Sequence, residues 1–223
     1  MDVNSYTSTS TALQKRSDMH LLRKFWHVGT GLAGFVAYGA TNFSLDQVGR
    51  GLVFFAVLAL IFESFRLKNP GLNRIVLSVM GPFMRDCEKN RVSGLPFYAL
   101  GVGIALTFFH QPVALLAVLF LIFADPISSI AGLRYGKRKI LPNKSVEGCL
   151  AGFITCAVLT YVFTSLSVMP FIPEWKLVTF SILGGFVGML SEMASVYNLD
   201  DNFTVPVFSS IGLSIINSFL IIF

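Results

Sequence analysis

Long apolar stretches alternate with short polar or basic connections along most of this chain. A bilayer core about 30 Å thick needs a spanning helix of roughly 20 mostly apolar residues. Seven stretches come close to that requirement. They are residues 25–42, 48–65, 94–110, 112–133, 148–168, 177–196 and 203–223. The pattern therefore predicts an all-α fold, a polytopic transmembrane helical bundle of about seven spans.

The connection between the second and third spans has a different pattern, in which apolar residues recur at the spacing of one helix face. The apolar set is Leu72, Ile75, Val76, Val79, Met80, Phe83 and Met84. Asn69 and Pro70 supply a cap and a first helical residue, and Gly81-Pro82 predicts a bend. We expect one amphipathic helix in the cytosolic headgroup region. A short helix buried in the bundle is the alternative.

Composition supports the membrane assignment, and the distribution of charge predicts the orientation of the bundle in the membrane. Hydrophobic residues make up 54% of the chain and charged residues 13%, which is too apolar for a typical soluble domain. With seven spans, all Lys and Arg residues except Arg50 and Lys176 lie on one side. Because basic loops concentrate on the cytoplasmic side, we expect a cytosolic N-terminus. Residues 1–20 are predicted to be a disordered polar tail, and residues 21–223 a single transmembrane domain.

Three carboxylates lie within or at the ends of apolar stretches: Glu63, Asp125 and Glu192. A carboxylate at membrane depth is costly, so each is a functional candidate. Glu63 lies beside Arg66, which favours an interfacial ion pair. Asp125 precedes Pro126, and this pair either caps a restarted helix or marks a broken helix that faces a polar cavity.

Two cytosolic connections carry groups that suit phosphate or a cation. Segment 132–148 combines glycines with a basic cluster, and both backbone N–H groups and ammonium groups bind phosphate oxygens. Its structural alternative is a topology-determining loop in which Ser145 caps the next span. Asp200, Asp201 and Asn202 offer hard oxygen ligands suited to Mg²⁺, although an acidic turn is usually just solvated.

A third cluster, Arg23, Lys24 and His27, lies at the mouth of the first span. Basic and aromatic residues at such a position commonly act as interfacial anchors. Taken alone, each of these clusters is weak evidence for a site.

In combination, the motifs resemble the CTP-dependent lipid-alcohol kinase family, which includes dolichol, phytol and farnesol kinases and the fungal type of CTP-dependent diacylglycerol kinase. The matching runs are Arg23-Lys24-x-x-His27, Asp125-Pro-x5-Gly132-x3-Gly136-Lys137, Asn143-Lys144-Ser145-x-Glu147-Gly148 and Asp201-Asn202-x3-Pro206. The resemblance covers roughly residues 20–210, and the order of the motifs is what makes it specific. Dolichol kinases are usually much longer, so we expect a minimal catalytic core in residues 21–223.

The resemblance implies transfer of the γ-phosphoryl group of CTP to the hydroxyl of a membrane lipid alcohol, either diacylglycerol or a polyprenol or other isoprenoid alcohol, with Mg²⁺ or another divalent cation. The implied nucleotide- and phosphate-binding residues are Arg23, Lys24, Gly132, Gly136, Lys137, Lys139, Asn143, Lys144, Ser145, Glu147 and Gly148. The implied metal ligands are Asp201, Asp125, Glu192 and Asn202. The catalytic candidates are Asp125, Glu192, Asp201 and His27, and the proton acceptor among them stays open.

The expected partners are the bilayer, a nucleoside triphosphate and the lipid alcohol, with no nucleic acid and with an oligomer left open. The expected location is a bacterial or archaeal cytoplasmic membrane or the endoplasmic reticulum, with the active site facing the cytosol. An enzyme resembling phosphatidate cytidylyltransferase is the alternative, because it also uses CTP on a membrane lipid. A CDP-alcohol phosphotransferase would show D-G-x2-A-R-x8-G-x3-D-x3-D, which is absent. A small transporter would show inverted repeats, and the sequence has no such repeat.

Overall fold

The computed structural model describes residues 21–141, 144–168, 171–194 and 199–223. The helices are α1 Leu21–Gly39, α2 Leu45–Lys68, α3 Pro70–Met80, α4 Gly94–Phe108, α5 Gln111–Leu119, α6 Asp125–Tyr135, α7 Val146–Val168, α8 Glu174–Met193 and α9 Asp201–Leu220. Short 3-10 turns cover Gly81–Phe83 and Asp86–Lys89, and a π-helical segment, Phe120–Ala124, joins α5 to α6. Strands β1 Lys139–Leu141 and β2 Lys144–Ser145 form an antiparallel hairpin.

Each of the seven apolar stretches contains a helix, so the prediction of a helical membrane bundle is confirmed. The hairpin was not predicted. Five described helices are long and apolar enough to cross a membrane: Leu45–Lys68, Gln111–Tyr135, Val146–Val168, Glu174–Met193 and Asp201–Leu220. Helix α4 is apolar but shorter. The count of seven spans stays a prediction, and the proposed tail of residues 1–20 lies outside the described residues.

The continuous helix Gln111–Tyr135 forms the centre of the bundle. Its side chains Leu116, Phe120 and Leu121 have no exposed surface, and α4, α7 and α9 pack around it. Close approach between neighbouring helices depends on small residues. For example, a Cβ atom on Gly188 of α8 would collide with the side chain of Cys156 on α7. Gly188 therefore lets α7 and α8 pack closely.

The amphipathic helix α3 begins where the sequence predicts, and it ends at Met80, directly before the Gly81-Pro82 pair at which the sequence predicts a bend. The side chain of Asn69 accepts hydrogen bonds from the backbone N–H groups of Gly71 and Leu72, at 3.0 and 3.1 Å. No residue of α3 is buried, and its apolar side chains Ile75 and Val79 are 65% and 66% exposed. The alternative of a buried helix is therefore wrong.

A buried ion pair fixes the segment that follows α3. Arg66 has no exposed surface and donates to both carboxylate oxygens of Glu63, at 3.1 and 2.7 Å. It also donates to the backbone carbonyls of Glu88 and Arg91, while Glu63 accepts from the backbone N–H of Ser93. The predicted pair is confirmed, but it lies inside the protein and anchors residues 85–93 to α2.

Candidate functional site

The helix that carries Asp125 is widened and not broken. Asp125 has helical dihedral angles and donates its backbone N–H to the carbonyl of Phe120, five residues earlier. Pro126 lacks an N–H, and its ring would clash with a carbonyl four residues earlier in a regular helix. The π-helical segment removes that clash. Both sequence-based interpretations of the Asp125-Pro126 pair, a cap and a broken helix, are therefore wrong.

The acidic turn before α9 is organised by an arginine. Arg85 donates from Nη2 to both oxygens of Asp201, at 2.7 and 2.9 Å, and from Nη1 to Asp200 at 3.0 Å. Asp200 caps α9 by accepting from the backbone N–H of Asn202 at 3.0 Å. The two carboxylate side chains are only 14% and 16% exposed. The turn is thus a charged structural centre and not merely solvated.

The charges in this turn change each other's ionisation. The carboxylate of Asp201 raises the pKa of the Arg85 guanidinium above its usual range. Burial, and after it the charge of Asp201, raises the pKa of Asp200 to about 7. One arginine therefore faces two carboxylates that compete for it.

A second ion pair joins the hairpin to α8. Lys144 Nζ lies 2.6 Å from Glu192 Oε1, and the two side chains are 15% and 9% exposed. Burial lowers the pKa of Lys144, but the carboxylates of Glu192 and Asp125 outweigh burial, so its pKa is raised. Gly152 leaves room for this pair, since a Cβ atom there would lie 3.0 Å from Glu192 Oε2.

The glycines of segment 132–148 serve close helix packing. Gly132 lies within α6, where a Cβ atom on Gly148 would come 3.1 Å from its Cα. Ser145 caps α7, because its Oγ accepts from the backbone N–H of Gly148 at 3.1 Å. The capping alternative for Ser145 is confirmed. A Cβ atom on Gly136 would lie 2.6 Å from Ser145 Oγ, so this glycine also packs tightly.

Two further basic side chains of this segment face solvent. Lys137 and Lys139 are exposed, and Glu147 Oε2 is buried without a hydrogen-bond partner among the described residues. Asn143 lies outside the described residues. The phosphate-binding roles of these residues stay predictions.

Electrostatic interactions join the separate pairs into one cluster. The charge of Asp125 interacts with those of Asp201, His27 and Lys144, and that of Asp201 with Arg23. We call this cluster the polar centre. Its residues are Arg23, Lys24, Arg85, Asp125, Lys144, Glu192, Asp200 and Asp201.

The N-terminal basic pair lines one side of the polar centre. Arg23 Nη1 lies 3.2 Å from Glu88 Oε1. Lys24 Nζ is buried and has no hydrogen-bond partner among the residues that the structure describes, while its charge interacts with Asp125. A buried ammonium group with these surroundings suits an anionic ligand.

Arg85 and Glu88 were missed as site residues by sequence reasoning. Both come from the segment after α3, which the sequence indicated as amphipathic and basic. The only indication in the sequence was that Arg85 falls on the polar face of that segment. The residues around Arg85 do not predict its partner Asp200, which lies 115 residues later in the chain.

The predicted metal ligands are close together without forming a cage. Among the described residues, no group of three or more His, Cys, Asp or Glu side chains could hold a metal ion. Mg²⁺ commonly uses one or two carboxylates and takes its other ligands from phosphates and water. The oxygen donors of Asp125 and Asp201 fit that mode, and Arg85 is the competing cation at Asp201.

Comparison with known proteins identifies the family. The Cytidylyltransferase family model matches residues 15–195. The chain belongs to the Cytidylyltransferase family. CTP-dependent diacylglycerol kinase 1 of Eremothecium gossypii is 33% identical over 213 residues, which cover 88% of this chain and 67% of that protein. The protein of the same name from Schizosaccharomyces pombe is 31% identical over 221 residues, which cover 94% of this chain and 99% of that protein.

A plant relative extends the comparison to a different kinase. Probable phytol kinase 3, chloroplastic, of Glycine max is 28% identical over 219 residues, which cover 92% of this chain and 66% of that protein. The resemblance to CTP-dependent lipid kinases that the motifs indicated is confirmed. No solved structure matches the chain significantly.

Proposed function

We propose that this protein is a membrane lipid kinase that transfers the γ-phosphoryl group of CTP to the hydroxyl of a lipid alcohol, and that residues 21–223 form one catalytic domain. The observation that carries this proposal is the polar centre. It brings basic side chains from two distant segments, Arg23 and Lys24 from α1 and Lys144 from the hairpin, to the carboxylates Asp125 and Asp201. Phosphoryl transfer depends mainly on positioning and on neutralising charge, which this arrangement supplies.

The basic side chains of the polar centre hold the triphosphate. Lys24 Nζ is buried without a hydrogen-bond partner in the described part of the chain, so a phosphate oxygen would satisfy it. Lys144 is held in place by Glu192 at 2.6 Å, which gives a flexible side chain a fixed direction. Arg23 is oriented in the same way by Glu88. Glu88 and Glu192 therefore act as positioning residues.

Asp201 and Asp125 would hold Mg²⁺ or another divalent cation beside the nucleotide. When bound, the cation would neutralise the charge that develops on the phosphates. In the structure, Arg85 is paired with Asp201. We expect Arg85 to turn toward the phosphates when the nucleotide binds.

The lipid acceptor approaches from the bilayer along an apolar groove between α4 and α9. The groove has a volume of about 150 Å³ and is lined by Phe97, Leu100, Leu199, Asp200 and Phe203. A molecule with a hydrocarbon chain and a terminal hydroxyl fits such a groove, because its chain contacts the apolar wall and its hydroxyl reaches the carboxylate. Asp200 is then the carboxylate placed to accept the hydroxyl proton.

The decisive experiment is incubation of the purified protein with γ-labelled CTP, Mg²⁺ and vesicles containing diacylglycerol, a polyprenol or phytol. Label in one lipid, with release of CDP, is the expected result and names the acceptor. A matched pair of variants tests the site. Asp201→Asn should abolish transfer, whereas Asp86→Asn should not, because Asp86 is an exposed acidic residue next to Arg85 that pairs only with Lys89 in the described part of the chain. Equal activity of the two variants would remove Asp201 from the site.

The second candidate is cytidylyl transfer to a phosphorylated lipid, which the description of the matched family favours. The two reactions differ in their products, since cytidylyl transfer releases pyrophosphate and leaves the cytidine on the lipid. Label from α-labelled CTP in the lipid fraction, with pyrophosphate in solution, would support this candidate against the kinase.

The proposed orientation places the polar centre on the cytosolic side of the endoplasmic reticulum or of a prokaryotic cytoplasmic membrane. The cysteines offer a direct test, because Cys87 is exposed beside the polar centre whereas Cys149 and Cys156 are buried. A membrane-impermeant maleimide should label the protein in vesicles with the cytosolic face outward. Cys87→Ser is the control that should lose the label. Labelling from the opposite face would reverse the orientation.

A further inference from the structure

We propose that His27 is a positioning residue, which holds the π-helical turn in front of Asp125, and that its Nε2 is not the atom that takes the proton from the lipid hydroxyl. The inference rests on the proposed function, because it concerns the geometry of the same site. It is carried by a hydrogen bond of 3.0 Å between His27 Nε2 and the backbone carbonyl of Leu121.

The carbonyl of Leu121 lacks a donor within its own helix. In a regular helix its donor would be the backbone N–H of Asp125, but that group bonds to Phe120. In the wider π turn the donor would come from residue 126, which is proline and has no N–H. Leu121 has no exposed surface, and water cannot replace the missing donor in a membrane interior. The carbonyl therefore needs a side chain from another helix.

His27 supplies that donor, which constrains its protonation. A carbonyl oxygen only accepts hydrogen bonds, so Nε2 carries a proton whenever this bond exists. A protonated ring nitrogen has no lone pair with which to take a second proton. The nitrogen that faces the π turn is therefore unavailable as a base.

Helix α1 packs closely against the π turn around His27. The ring meets Tyr98 edge-on, with ring centroids 5.3 Å apart. One helical turn later, a Cβ atom on Gly31 would lie 2.5 Å from Ile122 Cγ1. The His27 bond and the close approach at Gly31 thus fall on one face of α1, against consecutive residues of the π turn.

The π turn in turn decides where Asp125 points. A π-helical turn inserts one residue into a helix, which rotates the side chains that follow by about 100°. A helix relaxed to regular geometry would direct Asp125 away from Asp201 and Lys144. By satisfying the Leu121 carbonyl, His27 stabilises the geometry in which Asp125 belongs to the polar centre.

The test compares two substitutions in the full-length protein in vesicles. His27→Gln keeps an N–H donor at similar reach but cannot act as a base, whereas His27→Leu removes the donor. We expect the glutamine variant to stay within a few-fold of wild-type kcat. We expect the leucine variant to lose about 100-fold in kcat, with KM for CTP little changed, because a misplaced Asp125 impairs chemistry more than binding. His110→Leu, at an exposed histidine, is the control and should be fully active.

Two outcomes would overturn the proposal. If the glutamine variant binds CTP but is as inactive as the leucine variant, the imidazole has a chemical role of its own. If the leucine variant is fully active, the hydrogen bond has no bearing on the site.

A spectroscopic measurement separates this inference from the proposed function. In nitrogen-15 spectra of the unliganded wild-type chain, with the His27 signals assigned by their loss in His27→Gln, Nε2 should be protonated. An unprotonated Nε2 would overturn the positioning role. This measurement needs no enzymatic activity. If no lipid ever gains label, the kinase proposal fails while the role of His27 is still decided.

Discussion

Replacing Arg85 with methionine should make the stability of this protein depend on Mg²⁺. The substitution keeps an unbranched, largely apolar side chain but removes the charged guanidinium. It leaves Asp200 and Asp201 next to each other without the guanidinium that bonds to both, at 3.0 and 2.7 Å. A divalent cation can then take the place of the arginine. The prediction therefore tests whether these carboxylates can hold a metal.

The size of the effect follows from burial. Removing one partner of a fully buried ion pair costs about 3–5 kcal/mol. The side chains here are 27%, 14% and 16% exposed, so solvent screens part of the interaction and about 2–3 kcal/mol is expected. For a chain of this size each kcal/mol corresponds to about 2–4 °C in Tm. In a metal chelator, Arg85→Met should therefore melt roughly 4–12 °C below wild type.

The assay is thermal unfolding in detergent, with and without Mg²⁺. Mg²⁺ should raise the Tm of Arg85→Met more than that of wild type, because ligand binding to the folded state stabilises it. Lys89→Met is the matched control, since Lys89 forms an exposed pair with Asp86 and its loss should change stability by less than about 1 kcal/mol. If Mg²⁺ leaves the Tm of Arg85→Met unchanged, the metal-binding role of Asp201 is refuted.

Three further predictions concern the packing and the charges of the site. Gly31→Ala should lower kcat because its methyl group would collide with Ile122, whereas Gly34→Ala, on the same helix with nothing within 4 Å, should be neutral in the same kinase assay. Lys144→Met should lower kcat by about 10²–10³-fold, as expected when a charge-stabilising donor is removed, while Lys144→Arg should retain part of the activity; two equally inactive variants would show that the charge alone is insufficient. The third prediction concerns Asp200, whose pKa is raised from 3.8 to about 7 in the folded state. The folded state then holds a proton that the unfolded state loses, so this group's contribution to stability is complete below about pH 3.8 and falls as pH rises toward 7. Asp200→Asn should flatten that part of a Tm-against-pH curve, and an unchanged slope would contradict the assignment.

Much of the fold could be predicted because its causes are local. A spanning helix is encoded by the length of an apolar run, and α3 by the spacing of its apolar face. Its start is encoded by Asn69 and Pro70, whose cap and fixed φ act within a few residues. The Asp-Asn and Asn-Lys-Ser motifs were likewise visible as short runs. The existence of the helices, their approximate positions and the general location of the polar residues follow from such features.

The details of the site could not be predicted, because they depend on contacts between distant segments. Asp125-Pro126 is compatible with a cap, a break or a π turn, and the choice depends on whether another helix can satisfy the carbonyl of Leu121. Likewise, Arg66 and Glu63 are neighbours in sequence, but the burial of their pair depends on the segment that folds over it.

The sequence by itself determined that the chain forms membrane helices and that its motifs match a lipid-kinase family. The tertiary structure alone decided that Arg85 meets Asp200 and Asp201, that Lys144 meets Glu192, and that His27 bonds to Leu121. The physical reason is that the formation of a membrane helix depends on the free energy of transferring its own consecutive residues from water to lipid. A charged site instead depends on which distant groups satisfy one another once packing has brought them together.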